Sequence, residues 1–217
     1  MECEWDWWCG NYSRAIANRR CTACVGLEGR GILCDMSKQT ELKTAVFGGG
    51  CFWCTEAVFR MLKGVSNVES GYAGGSASNP SYENVSSGNT GHAEVIRVTH
   101  DPAVISYEDL LTVFFGSHDP TTPNRQGADV GTQYRSVILY ATDEEKAIAE
   151  RISKEIQESL KDGSRVVTQI VPLDQFYPAE EYHQKYFENN KGAAYCQLVV
   201  EPKVEKVRKR FAELVNQ

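Results

Sequence analysis

The stretch of this sequence best suited to chemistry is Gly48-Gly49-Gly50-Cys51-Phe52-Trp53-Cys54-Thr55-Glu56. A short apolar run, Thr44 to Phe47, precedes it, and Ala57 to Leu62 follows with helical spacing up to Gly64. That order predicts strand, glycine turn and helix, with Cys51 at the helix start. There its sulfur would lie near the unpaired N–H groups of a first helical turn, whose field favours thiolate, the nucleophilic form. A small buried core cysteine is the competing reading. Three glycines and two adjacent aromatics weigh against it.

Other reactive groups flank two long polar stretches. Tyr82 lies in Ser81-Tyr82-Glu83-Asn84-Val85, Glu94 follows Gly91-His92, and Asp129 and Tyr134 bracket Gly131-Thr132-Gln133. A cysteine, a carboxyl and two phenols can bind and protonate a polar oxygen while the thiolate attacks its neighbour. Glu94 sits in an apolar strand setting, where burial would raise its pKa and let it hold a proton near neutrality. Taken singly, each tyrosine also fits half-buried strand filling, and Glu94 also fits a solvated strand face. Cys51-x-x-Cys54 has the spacing of a redox dithiol, a moderately specific signal. Pairing it with Cys21-x-x-Cys24 would give a four-cysteine zinc site, but the intervening chain exceeds the common ribbon spacing. His92, His100, His118 and His183 form no metal-ligand pattern, so no metal and no cofactor is expected.

The elements that must position these groups are mostly plain. Strands are expected at 65–72, 93–99, 134–140, 166–172 and 195–200, with loops at 76–92 and 117–132. Ser106 and Asp109 have helix-capping spacing ahead of Leu110, Leu111, Phe114 and Phe115. Thr142 and Glu145 repeat that spacing, and Ile148, Ile152, Ile156 and Leu160 recur every fourth residue, predicting the longest helix. Residues 177–190 read as a broken helix, and a last helix begins near Pro202. Strands interleaved with helices predict an α+β fold: a two-layer sandwich with helices on a mixed sheet.

The chain has 217 residues, a formal charge of -6 and a pI near 5.3, which argues against nucleic acid as the main partner. No apolar run reaches membrane-spanning length, and the first residues lack the basic and apolar regions of a secretory signal. The expected location is cytoplasmic, with reduced thiols and any disulfide transient and catalytic. Residues 1–41 hold five of the eight cysteines and three of the four tryptophans without clean periodicity. They read as a disordered N-terminal extension, leaving 42–217 as the catalytic domain.

The motifs together resemble one family. Gly-Cys-Phe-Trp-Cys-x-Glu at 50–56, Gly-Tyr-x-Gly-Gly at 71–75, Gly-His-x-Glu at 91–94 and Asp-Pro-Thr at 119–121 are similar to peptide methionine sulfoxide reductase A. So are Asp129-x-Gly-x-Gln-Tyr-Arg-Ser136 and Phe176-Tyr-x-Ala-Glu-Glu-Tyr-His-Gln184. The resemblance covers about residues 43–211. It implies a ferredoxin-like core and reduction of the S epimer of methionine sulfoxide, free or within proteins. It also implies a monomer regenerated by thioredoxin. Cys51 would attack the sulfoxide sulfur and Glu94 would protonate the oxygen. Tyr82 and Tyr134 would hold that oxygen, Phe52 and Trp53 would receive the methyl group, and Asp129 would orient substrate and water. The sulfenic acid left on Cys51 needs a second thiol. Cys196 matches the C-terminal resolving cysteine of some members and Cys54 that of others. Cys196 is favoured slightly, because a disulfide to Cys54 inside a helix would be strained. Two rivals are a general thiol–disulfide oxidoreductase built on Cys51 and Cys54, and a zinc-binding module built on the N-terminal cysteines.

Overall fold

The structure is a computed structural model describing residues 41–216. The expected N-terminal extension, with Cys21 and Cys24, falls outside the described residues apart from Glu41. Strand β1 (Lys43–Gly49) leads into helix α1 (Phe52–Arg60), then β2 (Val65–Ala73), a short helix α2 (Tyr82–Ser86) and β3 (Ala93–His100). Helix α3 (Tyr107–Ser117), a small ribbon β4 (Arg125–Gln126) and β5 (Asp129–Val130), and a 3-10 turn at Thr132–Tyr134 follow. The chain continues with β6 (Ser136–Tyr140), α4 (Asp143–Ser159), β7 (Gln169–Pro172) and β8 (Phe176–Pro178). It ends in a 3-10 turn at Glu181–His183, a short helix α5 (Tyr186–Asn189), a π turn at Cys196–Val200, and α6 (Glu201–Arg210).

The main sheet runs β7-β6-β1-β3-β2-β8. All neighbours are antiparallel except β6 and β7, so the sheet is mixed and the fold is α+β. Strand periodicity gives each face its own core, because alternate side chains point opposite ways. Phe47, Tyr72, Ile96, Val98 and Ile138 face the helices and join the large core. There Phe47 packs on Phe59 and Phe114 with ring centroids 5.6 and 5.3 Å apart. Val46, Ala73, Val95, Val137 and Leu139 face the other way, under Leu173 and Phe176. Glu94 has the parity of Ile96 and Val98. Its carboxyl therefore enters the helical side of the sheet.

The capping spacings correspond to real caps. Ser106 and Asp109 form a reciprocal capping box on α3, and the Thr142 hydroxyl accepts from Glu145 N–H on α4. Four expectations change. Residues 195–200 form a helical turn rather than a strand: Cys196, Val200, Val204, Val207 and Phe211 are all buried, a stripe of helical spacing running into α6. The 76–92 loop contains α2, whose Ser81 cap accepts from Asn84 N–H. Tyr134 belongs to a 3-10 turn, not to the strand that follows it. The supposed broken helix at 177–190 starts as strand β8, an edge partner of β2.

Two buried connections hold the loops at one end of the sheet. Gly50 has φ +93, and a Cβ there would meet Gln126 Cβ at 2.7 Å, so only glycine turns the chain from β1 into α1. Arg135 is buried and donates from Nη2 to the carbonyls of Gly74 and Gly91 and from Nη1 to Thr132. It thereby ties three separate loops to β6. Gly75 lies in this knot: an added Cβ would sit 2.3 Å from His92 N and 2.5 Å from the Gly91 carbonyl carbon, both backbone atoms. Gly75→Ala should therefore cost about 1–3 kcal/mol through forced backbone shifts. Gly192→Ala, whose Cβ meets nothing within 4 Å, should stay within about 0.5 kcal/mol. Urea unfolding midpoints of the two variants give the comparison.

Candidate active site

Cys51 is the N-cap of α1, with the extended backbone angles φ -55 and ψ 124. Its carbonyl accepts from Cys54 N–H and Thr55 N–H at 3.1 and 3.3 Å, which starts the helix, but its side chain does not cap it. The side-chain acceptor at that terminus is Glu94. Phe52 N–H donates to Glu94 Oε2 at 3.0 Å, across the junction of α1 and β3. One hydrogen bond thus joins the residue after the cysteine to the carboxyl.

A small pocket of about 200 Å³ opens over this junction. Its walls bring together Cys51, Phe52, Trp53, Tyr82, Glu94, Asp129 and Tyr134, seven of the nine residues singled out from the sequence, with Tyr195 as an eighth. Cys54 and Cys196 are not on it. Both are buried: Cys54 lies behind Cys51, its sulfur 3.9 Å from the Tyr195 hydroxyl, and Cys196 lies beyond Cys54 on the π turn. Phe52 is 1% exposed and makes the floor rather than an open rim.

The charges of this pocket are set by burial. Glu94 is pushed up to about 8 by desolvation, against the opposing effect of the Phe52 N–H and with help from the charge of Asp129. The carboxyl is therefore protonated at neutral pH. The two cysteines divide one proton. Desolvation, the hydrogen bond to Cys54 and the charge of Glu94 push the Cys51 thiol well above its ordinary value. The hydrogen bond from Cys51 brings Cys54 down to about 7, assisted by Lys203. The expected pull of the helix start toward the Cys51 thiolate is thus opposed by burial and by these neighbours. The helix terminus is directed at Glu94, and the contact between the two thiols favours the anion on Cys54 over Cys51. The phenols stay neutral: burial, then Glu94, raise Tyr134, and burial raises Tyr82, so both remain donors.

A family model described as peptide methionine sulfoxide reductase matches residues 43–215. The chain belongs to that family. It is 54% identical over 172 residues to the peptide methionine sulfoxide reductase MsrA of Sulfolobus acidocaldarius, a match spanning 79% of this chain and 97% of that one. With the MsrA of Nautilia profundicola the identity is 57% over 165 residues, 76% and 94% of the two chains. Among solved structures, reduced Mxr1 of Saccharomyces cerevisiae superposes with a TM-score of 0.67 at 38% identity, covering 73% of this chain and 91% of that one. Methionine sulfoxide reductase A of Corynebacterium diphtheriae gives 0.68 at 34% identity, covering 71% and 77%.

Several supports of this reductase's pocket escaped the sequence reading. Tyr195 donates to Asp129 Oδ2 at 2.9 Å and so fixes the carboxylate beside the pocket. His183 accepts from Trp53 Nε1–H at 3.1 Å and touches the rings of Phe52 and Tyr82 at 5.0 and 4.5 Å. Burial lowers its pKa, so it is neutral and able to accept. Tyr186 stacks on the outer face of Trp53 at 3.7 Å. Glu180 accepts from Tyr82 N–H and from the Tyr72 hydroxyl, both at 2.9 Å, anchoring α2 to the sheet. Glu180 and His183 stood within the motif at 176–184, while Tyr186 and Tyr195 lie in stretches without regular period that gave no sign of their contacts.

Glu94 makes stability depend on pH with a definite sign. Its folded pKa, about 8, exceeds its unfolded value of 4.5, so between these limits the folded state binds the extra proton. Stability then falls as pH rises through that window and levels off above it. The full swing is on the order of 5 kcal/mol. Glu94→Gln, which keeps an acceptor for Phe52 N–H, should abolish this part of the slope and be the more stable form at pH 9. Urea titrations at pH 5, 7 and 9 measure the difference.

Proposed function

We propose that the chain reduces the S epimer of methionine sulfoxide to methionine, free or in proteins, with Cys51 as nucleophile and Glu94 as proton donor. The observation that carries this reading is a nucleophilic sulfur and a protonated carboxyl on one small pocket, linked through Phe52 N–H. A sulfoxide is a weak electrophile until its oxygen gains a proton, so the acid and the thiolate must meet the same substrate. The Cys51 proton passes to Cys54, and the Cys51 thiolate attacks sulfur while Glu94 protonates oxygen. Methionine leaves and Cys51 becomes a sulfenic acid. Tyr82 and Tyr134 donate to the oxygen, as neutral phenols can. Phe52 and Trp53 receive the methyl group, and Asp129, oriented by Tyr195, directs substrate and water. With acid, thiolate and methyl wall at fixed places, one configuration at sulfur fits.

Cys54 is then the first thiol to condense with the sulfenic acid, expelling water and forming the Cys51–Cys54 disulfide. Its contact with Cys51 supports this order, as does the N-cap backbone of Cys51, which lies outside the helix and relieves the strain expected of an intrahelical bridge. Cys196, behind Cys54, exchanges second, and thioredoxin returns both to thiols. The enzyme works as a cytoplasmic monomer, and residues 42–217 are its catalytic domain. The central β1-α1-β2-β3-α3-β6 unit is read as ferredoxin-like within a two-layer sandwich. Its strand order β6-β1-β3-β2 and the helices on one face support that reading.

The rival, a general disulfide reductase, draws on the low pKa of Cys54 in a Cys-x-x-Cys pair but has no use for Glu94. Each epimer of a methionine sulfoxide peptide, supplied with dithiothreitol, tests both. Wild type should turn over the S epimer alone, Cys51→Ser neither, and Glu94→Gln should lose about 10²–10⁴ in kcat. Turnover of only the R epimer, activity in Cys51→Ser, or insulin reduction outpacing sulfoxide reduction would sink the proposal. The wild-type rate should also decline above about pH 8, as Glu94 loses its proton, and this limb should vanish in Glu94→Gln. With thioredoxin, Cys54→Ser should release one methionine per enzyme and stop. If Cys196→Ser stops there instead, the two thiols have the opposite order.

A further inference from the structure

A second and larger cavity, about 400 Å³, meets the redox pair from behind. Cys51 lines the substrate pocket and not this groove, whereas Cys54 lines the groove and not the pocket. Asp129 and the Tyr195 hydroxyl form the partition between them and border both. The outer wall is one face of α6, where Lys203, Lys206 and Arg210 recur at helical spacing. Lys203 is half-buried and close enough to Cys54 to favour its thiolate. Among the described residues neither Lys203 nor Lys206 has a carboxylate partner. Two carboxylates also face the groove, but Asp129 is engaged by Tyr195 and Asp119 by the N–H and hydroxyl of Thr121. A cationic wall on a chain of net charge -6 is a local exception. Its volume falls in the range of small-molecule sites.

We infer that this groove binds a low-molecular-weight thiol bearing carboxylates, which reduces the Cys51–Cys54 disulfide by attack on Cys54. The inference rests on the reading of Cys54 as the resolving thiol. The ligand's carboxylates meet Lys203 and Lys206 while its thiolate reaches Cys54 Sγ at the groove floor. A bond forms between the ligand sulfur and Cys54, the Cys51–Cys54 bond breaks, and Cys51 leaves as a thiolate and takes a proton in the pocket it shares with Glu94. A second ligand thiolate attacks the bound ligand sulfur, giving the ligand's disulfide and free Cys54. Two thiols supply the two electrons and the two protons. Leaving-group strength alone would favour attack on Cys51, because Cys54 has the lower pKa. Access and charge act the other way: Cys51 looks into a pocket bordered by Glu94 and Asp129 and, among the described residues, by no cation, and Cys54 looks into a groove where three cations outnumber two carboxylates. Cys54 is 1% exposed and lies on the lining of the groove, so the thiol that attacks it there must be slender.

Covalent trapping tests this without relying on turnover. Cys51→Ser is exposed to oxidised glutathione, an anionic disulfide probe, and separately to the uncharged 2-hydroxyethyl disulfide, with adducts mapped by mass spectrometry. The glutathione adduct should form on Cys54, at a rate that drops at least about tenfold in the Lys203→Gln/Lys206→Gln background and at 0.5 M salt. The uncharged probe should lose less than about twofold under both changes. Equal sensitivity of the two probes, no glutathione adduct on Cys54, or a glutathione rate indifferent to the lysines overturns the inference. A chain that forms the Cys54 adduct as expected and yet fails to reduce methionine sulfoxide would instead overturn the activity and leave the groove standing. In the wild type, the ratio of glutathione-driven to thioredoxin-driven turnover should fall about tenfold with the double lysine change. An unchanged ratio counts against the groove.

Discussion

The hydrogen bond from Phe52 N–H to the buried Glu94 carboxyl is the constraint on which the rest of the site depends. It ties the start of α1 to β3, and so fixes the separation between the Cys51 thiol and a carboxyl that lie 43 positions apart in sequence. It also decides where the helix field acts. Because Glu94 occupies the terminus, the field opposes burial at the carboxyl, and burial still dominates. The result is an acid that keeps its proton at neutral pH while remaining in contact with a donor. A solvated carboxylate in the same place would be ionised and could only repel the thiolate.

Around that bond the sheet and its loops act as a frame. β1 delivers Cys51 through the Gly50 turn, β3 delivers Glu94 by strand parity, and the connection between α3 and β6 brings Asp129 and Tyr134. The segment after β8 packs His183 and Tyr186 against Trp53, so the wall of the pocket is held from outside. Tyr195, at the entry to the last helical region, reaches both Asp129 and Cys54. The long-range parts of the site therefore come from several elements, and Glu94, Trp53, Tyr82 and Asp129 are each held by a hydrogen bond to a residue distant in sequence. This is the arrangement that preorganised polar sites need, since an unfixed donor would have to be oriented during the reaction.

Much of this was legible in the sequence where local rules govern. The glycine turn and the two capped helices follow from spacing alone, and the buried aromatics of α3 lie where their periodicity put them, whereas spacing left Glu94 open between a buried and a solvated strand face. Motifs in family order identified the pocket residues before any geometry. What could not be read was set by tertiary context. The Cys196–Val200 run has the composition of a strand, rich in β-branched residues, but its buried positions are four apart and it winds into α6. The charge of Cys51 could not be inferred from helix position, because the competing claim on that terminus comes from a residue on another strand. His183 and Tyr195 acquire their roles only when the chain returns to α1 from more than 100 residues away. Distant pairings of that kind leave no periodic trace.

The Arg135 knot gives this chemistry a fixed ruler. In the proposed catalytic cycle the groups at the pocket exchange protons and charge: Cys51 and Cys54 trade places as anion, and Glu94 is ionised and refilled. A loop held by such groups would shift with every step. The contacts from Arg135 to the carbonyls of Gly74, Gly91 and Thr132 involve a guanidinium, which stays protonated throughout the range in which the others titrate. Positions in the site are thus anchored by the one kind of side chain whose charge does not take part in the proposed cycle, so nothing in that anchor has to change between the thiol and disulfide forms.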